Sequence, residues 1–440
     1  MQRTPVSIFG SSCPALGRAS TSCFADATKT WMATQLGLAR VAQSKATQVG
    51  YTRLAVTSPA MTRRGRNLLI ATATMTAALF ALPATAQEYK IGISAGLTGY
   101  AATLDRGWRD GVEIAAATLN AKGGIMGRKL AVVVEDNRSE PQEAVTVYRK
   151  MISSDNVNVF ISGCVSAGNF AAAGLVVRAQ LPMVLCSILP QQPDHVKWAF
   201  STLPPASFEV EKRFEYLKEK TQIRKVGVLH DPTPYAGLQK AAAERLAAGY
   251  GLEIVGIEQY KQDDADLSVQ ISKMNAAGAR AILKIGIGGT TLTAAKNIKQ
   301  LGLDMIMLTS VEDLAVFRPV AEVLGDKFFF VASPSQIYDA LPESALKAEM
   351  TKFLGPWKAK HGDRDPNWAA RGWDGVMLTA KAIEQGKSFD GGKVRDQLET
   401  ITGFQGTSGV YNMSPTVHQG ITVNPFLIAM IINGKVKVVQ

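Results

Sequence analysis

From Glu88 onward, short β-branched runs alternate with longer amphipathic ones, and that rhythm confines the chain to βαβ units built on parallel sheet. Tyr89–Ser94 reads as a first strand. The helix over Asp105–Asn120 carries Val112, Ala115, Ala116 and Leu119 on one face and is ended by Lys122-Gly123-Gly124. Strand Leu130–Glu135, helix Pro141–Ile152 begun by Ser139, strand Val157–Ser162, helix Gly168–Ala179 and strand Pro182–Leu185 continue the series. Pro190, Pro193, Pro204 and Pro205 then break it. It restarts with helix Phe208–Lys220, strand Lys225–Leu229, helix Tyr235–Ala248, strand Glu253–Gln259 and helix Leu267–Ala276. Strand Ala281–Ile285, helix Thr291–Gln300 and strands Met305–Leu308 and Phe328–Ala332 follow. After Ser333 the pattern turns helical, over Leu346–Lys360, Ala369–Glu384 and Val394–Thr400. The tail reads as a hairpin of Thr422–Ile432 and Lys435–Val439 around Asn433-Gly434. Two such series and a helical return predict two α/β lobes joined by more than one crossing segment.

The length of 440 residues accommodates two cores of ordinary size. A formal charge of +11 invites a nucleic-acid reading, but residues 1–86 hold 9 Lys and Arg against one acid, Asp26. The remainder carries 39 basic and 36 acidic residues, with no Lys/Arg cluster interleaved with aromatics, so no nucleic-acid partner is expected. The basic leader has the order of a signal peptide over residues 61–86. Arg63, Arg64 and Arg66 precede an uncharged stretch from Asn67 to Leu82, then Pro83 and Ala84-Thr85-Ala86, which places cleavage before Gln87. The uncharged run falls short of the roughly 20 residues of a spanning helix. Export to the periplasm by the general secretory route is expected, with the twin-arginine route as the alternative. Residues 1–60, rich in Ser, Thr and Ala and without periodicity, are read as a non-native or mis-called extension ahead of a start at Met61, with an organelle transit peptide of the same composition as the alternative.

Past the leader the chain has no enzyme signature. Its four His residues, 195, 230, 361 and 418, are widely spaced, so neither a metal nor a cofactor is expected. Cys164-Val165-Ser166-Ala167-Gly168 departs from a nucleophile elbow at its first glycine, and Thr291 stands where a dinucleotide fingerprint begun at Gly286-Ile287-Gly288 needs its third. The run Asp263-Asp264-Ala265-Asp266 reads as a solvated helix start. What recurs is a loop of small polar residues at the carboxyl end of a strand, where open α/β sheets bind ligands. Ser166-Ala167-Gly168 lies between a strand and a helix, and a hydroxyl with free amides at a helix N-terminus suits a carboxylate. A lone Ser there is otherwise an N-cap. Cys186-Ser187-Ile188 holds the equivalent place one strand later, which makes a shared anion cradle the better reading. In the second series, the strand ends offer Tyr235, Gly286–Thr290 and Ser310–Asp313 to a facing cleft. Cys164 and Cys186 stand one at each cradle loop. Neighbouring strands are about 4.8 Å apart, so a bridge is sterically possible but depends on register, with two buried thiols as the alternative.

The chain resembles the type I periplasmic binding proteins of the branched-chain amino acid transport group. The resemblance covers Glu88–Gln440 and rests on Lys90-Ile91-Gly92, Leu97-Thr98-Gly99, Asp110-Gly111 and the run from Asn120 to Arg128. Glu135-Asp136, Leu181-Pro182-Met183-Val184, His230-Asp231 and Tyr235-Ala236-Gly237 complete it. It implies two Rossmann-like lobes with three crossings and a ligand cleft between them, and delivery to an inner-membrane ABC permease driven by a cytoplasmic ATPase. Lobe 1 is expected over residues 88–203 plus 333–415, and lobe 2 over 204–332 plus 416–440. Carried over by position, Ser166 and Ala167 match the first carboxylate loop, Ser187 and Ile188 the second, and Tyr235 the aromatic packed on the ligand. Tyr100 is counted with these contacts, and Glu312 is the acid offered to an α-ammonium. Leu189 stands where the family often has a Thr hydroxyl, and Ile287 near a position often filled by Tyr. The implied protein is a monomeric solute receptor, not an enzyme, for an apolar amino acid. The alternatives are an aliphatic or aromatic carboxylate without an amino group, and a ligand sensor of the same fold.

Overall fold

The computed structural model describes residues 87–439; the expected signal peptide, the segment before it and Gln440 lie outside the described residues. The first sheet is built from β1 (Tyr89–Ala95), β2 (Leu130–Asp136), β3 (Val159–Ser162), β4 (Met183–Leu185) and β5 (Ala199–Ser201). All are parallel, in spatial order β2-β1-β3-β4-β5. Helices α1 (Ala102–Ala121), α2 (Pro141–Lys150) and α3 (Ser166–Ala179) make its crossovers, while α4 (Ala206–Lys220) opens the second lobe.

The second sheet begins with β6 (Lys225–His230), β7 (Glu253–Gln259), β8 (Ala281–Ile285), β9 (Ile306–Thr309) and β10 (Phe328–Ala332). Its helices are α5 (Pro234–Leu246), α6 (Ser268–Ala276), α7 (Thr290–Gln300) and α8 (Leu314–Leu324). Next, α9 (Ala345–His361), α10 (Asn367–Gly386) and α11 (Gly391–Leu398) return to the first lobe, where α10 lies along α1. A small hairpin of β11 (Phe404–Gln405) and β12 (Val410–Tyr411) precedes β13 (Leu427–Ile432) and β14 (Lys435–Val438), which rejoin the second sheet. That sheet runs β14-β13-β10-β9-β8-β6-β7, antiparallel from β10 outward through β13 and β14. The chain thus crosses between lobes three times: after β5, after β10 and between β12 and β13. Strands β3, β4, β8 and β10 are buried along their whole length. That burial is why they read as continuous apolar runs rather than alternating ones.

Four readings need correction. Helix α8 was not anticipated, because Pro319 interrupts its pattern; Asp313 nevertheless caps it, accepting the Ala315 N–H at 2.7 Å. Strand β5 emerges inside the proline-rich break, paired with β4. The expected cap Ser139 does not begin α2, whose N-cap is Glu140. Ser139 sits at φ 62° and braces the loop before α1, donating to the Thr98 carbonyl (2.7 Å) and accepting from the Ala101 N–H (3.2 Å). The last strand pair starts at Leu427 rather than Thr422, since Pro425 has no N–H for a ladder. Its turn is the expected one, with Asn433 and Gly434 both left-handed at φ 50° and 74°.

Register decides the cysteines. Ser162 pairs with Leu185, which brings the loops after β3 and β4 side by side, and Cys164 is bonded to Cys186 with Cα atoms 4.5 Å apart. A closed loop of sequence separation 22 is worth about 3 kcal/mol in the chain-entropy account. Reduction is therefore expected to lower the denaturation midpoint by that equivalent, and Cys164 and Cys186 to be unlabelled by a thiol reagent until it is done. An unchanged midpoint on reduction would contradict the bridge.

Candidate ligand-binding cleft

Sheet order marks where a ligand belongs. In the first sheet the chain reverses direction between β1 and β3, and in the second between β6 and β8. Such switch points open a crevice at the carboxyl ends of the strands. The two crevices face each other across one shared cavity. The first lobe lines it with Tyr100, Leu104, Ser166, Ala167, Ser187 and the Cys164–Cys186 bridge, and the second with Asp231, Thr233, Tyr235 and Ile287. Leu203, at a crossing, and Trp368, on α10, close the back.

The first lobe presents an anion cradle. Helix α3 starts at Ser166 with no side-chain cap, and its first helical bond is Asn169 N–H to the Val165 carbonyl (3.1 Å). The amides of Ser166, Ala167 and Gly168 thus precede the helical ladder, at the positive end of the helix dipole. The Ser166 hydroxyl has no hydrogen-bond partner among the described residues. Ser187 is more constrained: its Oγ accepts from Asn169 Nδ2 (3.0 Å) and faces the Ile188 carbonyl (3.2 Å). Asn169 also donates to the Gly163 carbonyl (2.9 Å) and accepts from Tyr148 (2.9 Å), tying the two cradle loops together. Behind them the buried Asp105 accepts the Cys164 N–H (2.5 Å) and the Gly96 N–H (2.6 Å). Burial lifts its carboxyl to about 6.

In the second lobe, Tyr235 turns its ring to the cavity while its hydroxyl donates to the Glu209 carboxylate, which also accepts the Val311 N–H (2.8 Å). Burial and that carboxylate hold the Tyr235 hydroxyl protonated, well above its ordinary pKa. Tyr100 reaches across to Gln262 of the second lobe, and burial pushes its hydroxyl up to about 12. Asp231 accepts from the Thr233 N–H (2.9 Å) and hydroxyl (2.5 Å) through Oδ1, and its buried Oδ2 has no partner among the described residues.

Five of the expected contacts, Tyr100, Ser166, Ala167, Ser187 and Tyr235, therefore share one cavity. Two do not line it. Ile188 is buried behind the second cradle loop. Glu312 lies under the floor, where its oxygens accept the Gly288 N–H (2.9 Å) and the Asp313 N–H (3.0 Å), and burial lifts its carboxyl to about 7. It positions the glycine loop after β8 instead of presenting a charge to the cavity.

A family model described as periplasmic binding protein matches residues 88–435. The chain belongs to the periplasmic binding protein family. Its members are solute-binding proteins, not enzymes. The chain is 23% identical over 345 residues to a leucine-, isoleucine-, valine-, threonine- and alanine-binding protein of Pseudomonas aeruginosa, covering 76% of this chain and 90% of that one. Among solved structures, it is similar to a branched-chain amino acid transporter substrate-binding protein from Streptococcus pneumoniae in complex with isoleucine. That likeness has a TM-score of 0.67 at 23% identity, over 80% of this chain and 98% of that one. A fatty acid ABC transporter substrate-binding protein from Thermomonospora curvata matches with a TM-score of 0.68 at 19% identity, over 80% and 92%.

In this periplasmic binding protein, several cleft residues gave no signal in the sequence. Trp368 comes from the helical return, far along the chain from both βα series. Asn169 and Asp105 look like ordinary helix residues until the loops they hold are seen. Asp231, in the His230-Asp231 pair after a strand, carries no sequence signal that sets it apart from a loop acid. Among the described residues no helix is long and apolar enough to cross a membrane.

Proposed function

We propose that this protein is the extracytoplasmic receptor of an ABC uptake system and binds a small apolar carboxylate, an amino acid with an apolar side chain, between its lobes. The observation that carries this reading is the first-lobe cradle. Ser166, whose hydroxyl has no partner among the described residues, and Ala167 begin α3 and line a cavity to which Leu104, Leu203, Ile287, Trp368 and the disulfide also contribute. A buried carboxylate must have its lone pairs satisfied, and the cradle supplies the donors. The names of the relatives that bind leucine, isoleucine and valine support the apolar side chain.

The carboxylate docks on Ser166 and the α3 amides first. Lobe 2, taken as residues 204–332 plus 416–440, then swings about the three crossings against lobe 1, residues 88–203 plus 333–415, and lays Tyr235 over the ligand. Contacts made only in the closed form drive that motion. The loaded monomer, delivered to the periplasm by its signal peptide, hands the ligand to a permease. A second reading, a carboxylate without an amino group, draws on the withdrawn position of Glu312 and on the fatty acid relative. Thermal unfolding with L-leucine, L-phenylalanine and their deamino analogues tests both. A ligand at a hundred times its dissociation constant is expected to add about 2.7 kcal/mol to stability. No shift with any member at millimolar concentration would overturn the cradle.

A further inference from the structure

We propose that Glu209 is a positioning residue of the cleft: from α4, just past the first crossing, its carboxylate tethers the Tyr235 hydroxyl and so sets the ring that packs on the ligand. The proposal rests on the reading of Tyr235 as a ligand contact and adds the residue that holds it in place.

Glu209 stands in the first turn of α4, is 3% exposed and is absent from the cavity lining. Each of its oxygens has one donor. Oε1 accepts the Tyr235 hydroxyl at the start of α5, and Oε2 accepts the Val311 N–H (2.8 Å) in the loop after β9. One carboxylate thus joins three segments that meet only in the folded chain. Hydrogen bonds to an ionised acceptor are the strong ones, so the tether is firm. A phenol has a single proton to donate, and here it goes to Glu209. The ring of Tyr235, and not a hydroxyl proton, is what the cleft offers to a ligand.

The backbone under Tyr235 is held separately. Arg213, one turn along α4 and wholly buried, donates to the Glu209 carbonyl (3.1 Å) and to Gln239 Oε1, which also accepts the Ser310 hydroxyl (2.9 Å). Gln239 lies one turn after Tyr235 on α5. Breaking the Glu209 tether therefore frees the ring without releasing the helix that carries it. The carboxylate has a second tie, to the other lobe. Arg371 on α10 is 3% exposed, makes no hydrogen bond among the described residues, and lies over the Trp368 ring, 4.5 Å from its centroid. A buried guanidinium without an acceptor needs negative charge nearby, and Arg371 lies in the field of Tyr235, Glu209, Tyr411 and Asp365. Glu209 is thus coupled to two rings of the cavity, directly to Tyr235 and through Arg371 to Trp368 at its back.

The test is a double-mutant cycle read by calorimetric titration of the purified protein with L-leucine and 4-methylpentanoate. Glu209→Ala and Tyr235→Phe are each expected to weaken binding by about 3- to 10-fold, the cost of ordering a freed side chain on binding. The double variant is expected to be no weaker than the weaker single one, because both substitutions cut the same bond. Melting curves establish that each variant is folded, and Glu209→Gln replaces Glu209→Ala in the same cycle if the latter is not. Losses that multiply in the double variant would show Glu209 acting through the fold at large and overturn the tether. So would a Glu209→Ala variant that binds as wild type does, or a Tyr235→Phe loss confined to one of two bound ligands, which would assign the hydroxyl to the ligand. Tyr235→Ala binding as tightly as wild type would remove the ring from the site, and the role of Glu209 with it, while leaving the cradle standing. A wild type that binds neither acid overturns the cradle and the tether together.

Discussion

Ser166→Ala is expected to weaken binding of a carboxylate ligand by about 10- to 100-fold, because a hydrogen bond to a charged group is worth ~1.5–3 kcal/mol. The structure separates this residue from its neighbour in the cradle. Ser166 lines the cavity and its hydroxyl has no partner among the described residues, so removing it breaks no hydrogen bond among them. The Ser187 hydroxyl already accepts from Asn169 and lies against the Ile188 carbonyl, so Ser187→Ala also frees the amide that holds the two loops together. The two variants should therefore differ in kind. Ser166→Ala should lose affinity with its unliganded melting temperature unchanged, whereas Ser187→Ala should lose both. Titration calorimetry beside unliganded melting curves reads the difference. A Ser166→Ala variant within twofold of wild type would show that the α3 amides carry the carboxylate alone.

Gly111→Ala is expected to destabilise the first lobe by about 3 kcal/mol or more, lowering its melting temperature by roughly 6–12 °C. Gly111 on α1 faces α10 so closely that a Cβ would be driven into the Ala369 carbonyl, and on the opposite side a Cβ at Gly372 would meet the Trp108 carbonyl. The clash is with backbone, which cannot rotate away. The helices would have to separate, unseating the wholly buried Trp108, whose indole donates to the Ile161 carbonyl at 3.0 Å. Gly237→Ala is the internal control. That glycine lies on an exposed turn of α5 with nothing near its missing Cβ, and the substitution should add up to about 1 kcal/mol. If both variants melted within a degree of wild type, the tight α1–α10 contact would be wrong.

The alternation that identified two α/β series was legible because the central strands are buried along their length while most helices bury one face, and those periods are local properties of the chain. The same locality exposed the cradle. Ser166, Ser187 and Tyr235 each follow a strand by a few residues, and strand ends are where such sheets bind ligands. Helix α8 escaped because Pro319 breaks a pattern that the Asp313 cap and packing against β10 and β13 sustain.

What the sequence determined by itself, then, is the order of elements, the parallel topology and the strand-end loops that carry polar side chains. The tertiary structure decided which of those side chains meet. The β3–β4 register joined Cys164 to Cys186, a pairing that strand spacing alone left open. Long-range folding brought Trp368 from the helical return to the back of a cavity whose floor is set by β6 and β8. Backbone amides took up both oxygens of Glu312, in the loop after β9, while Asp231, directly after β6 and two strands away, kept Oδ2 without a partner among the described residues. Two carboxylates in one sequence look alike. They differ in which amides fall within 3 Å of them, and that is fixed by the packing of loops distant in the chain.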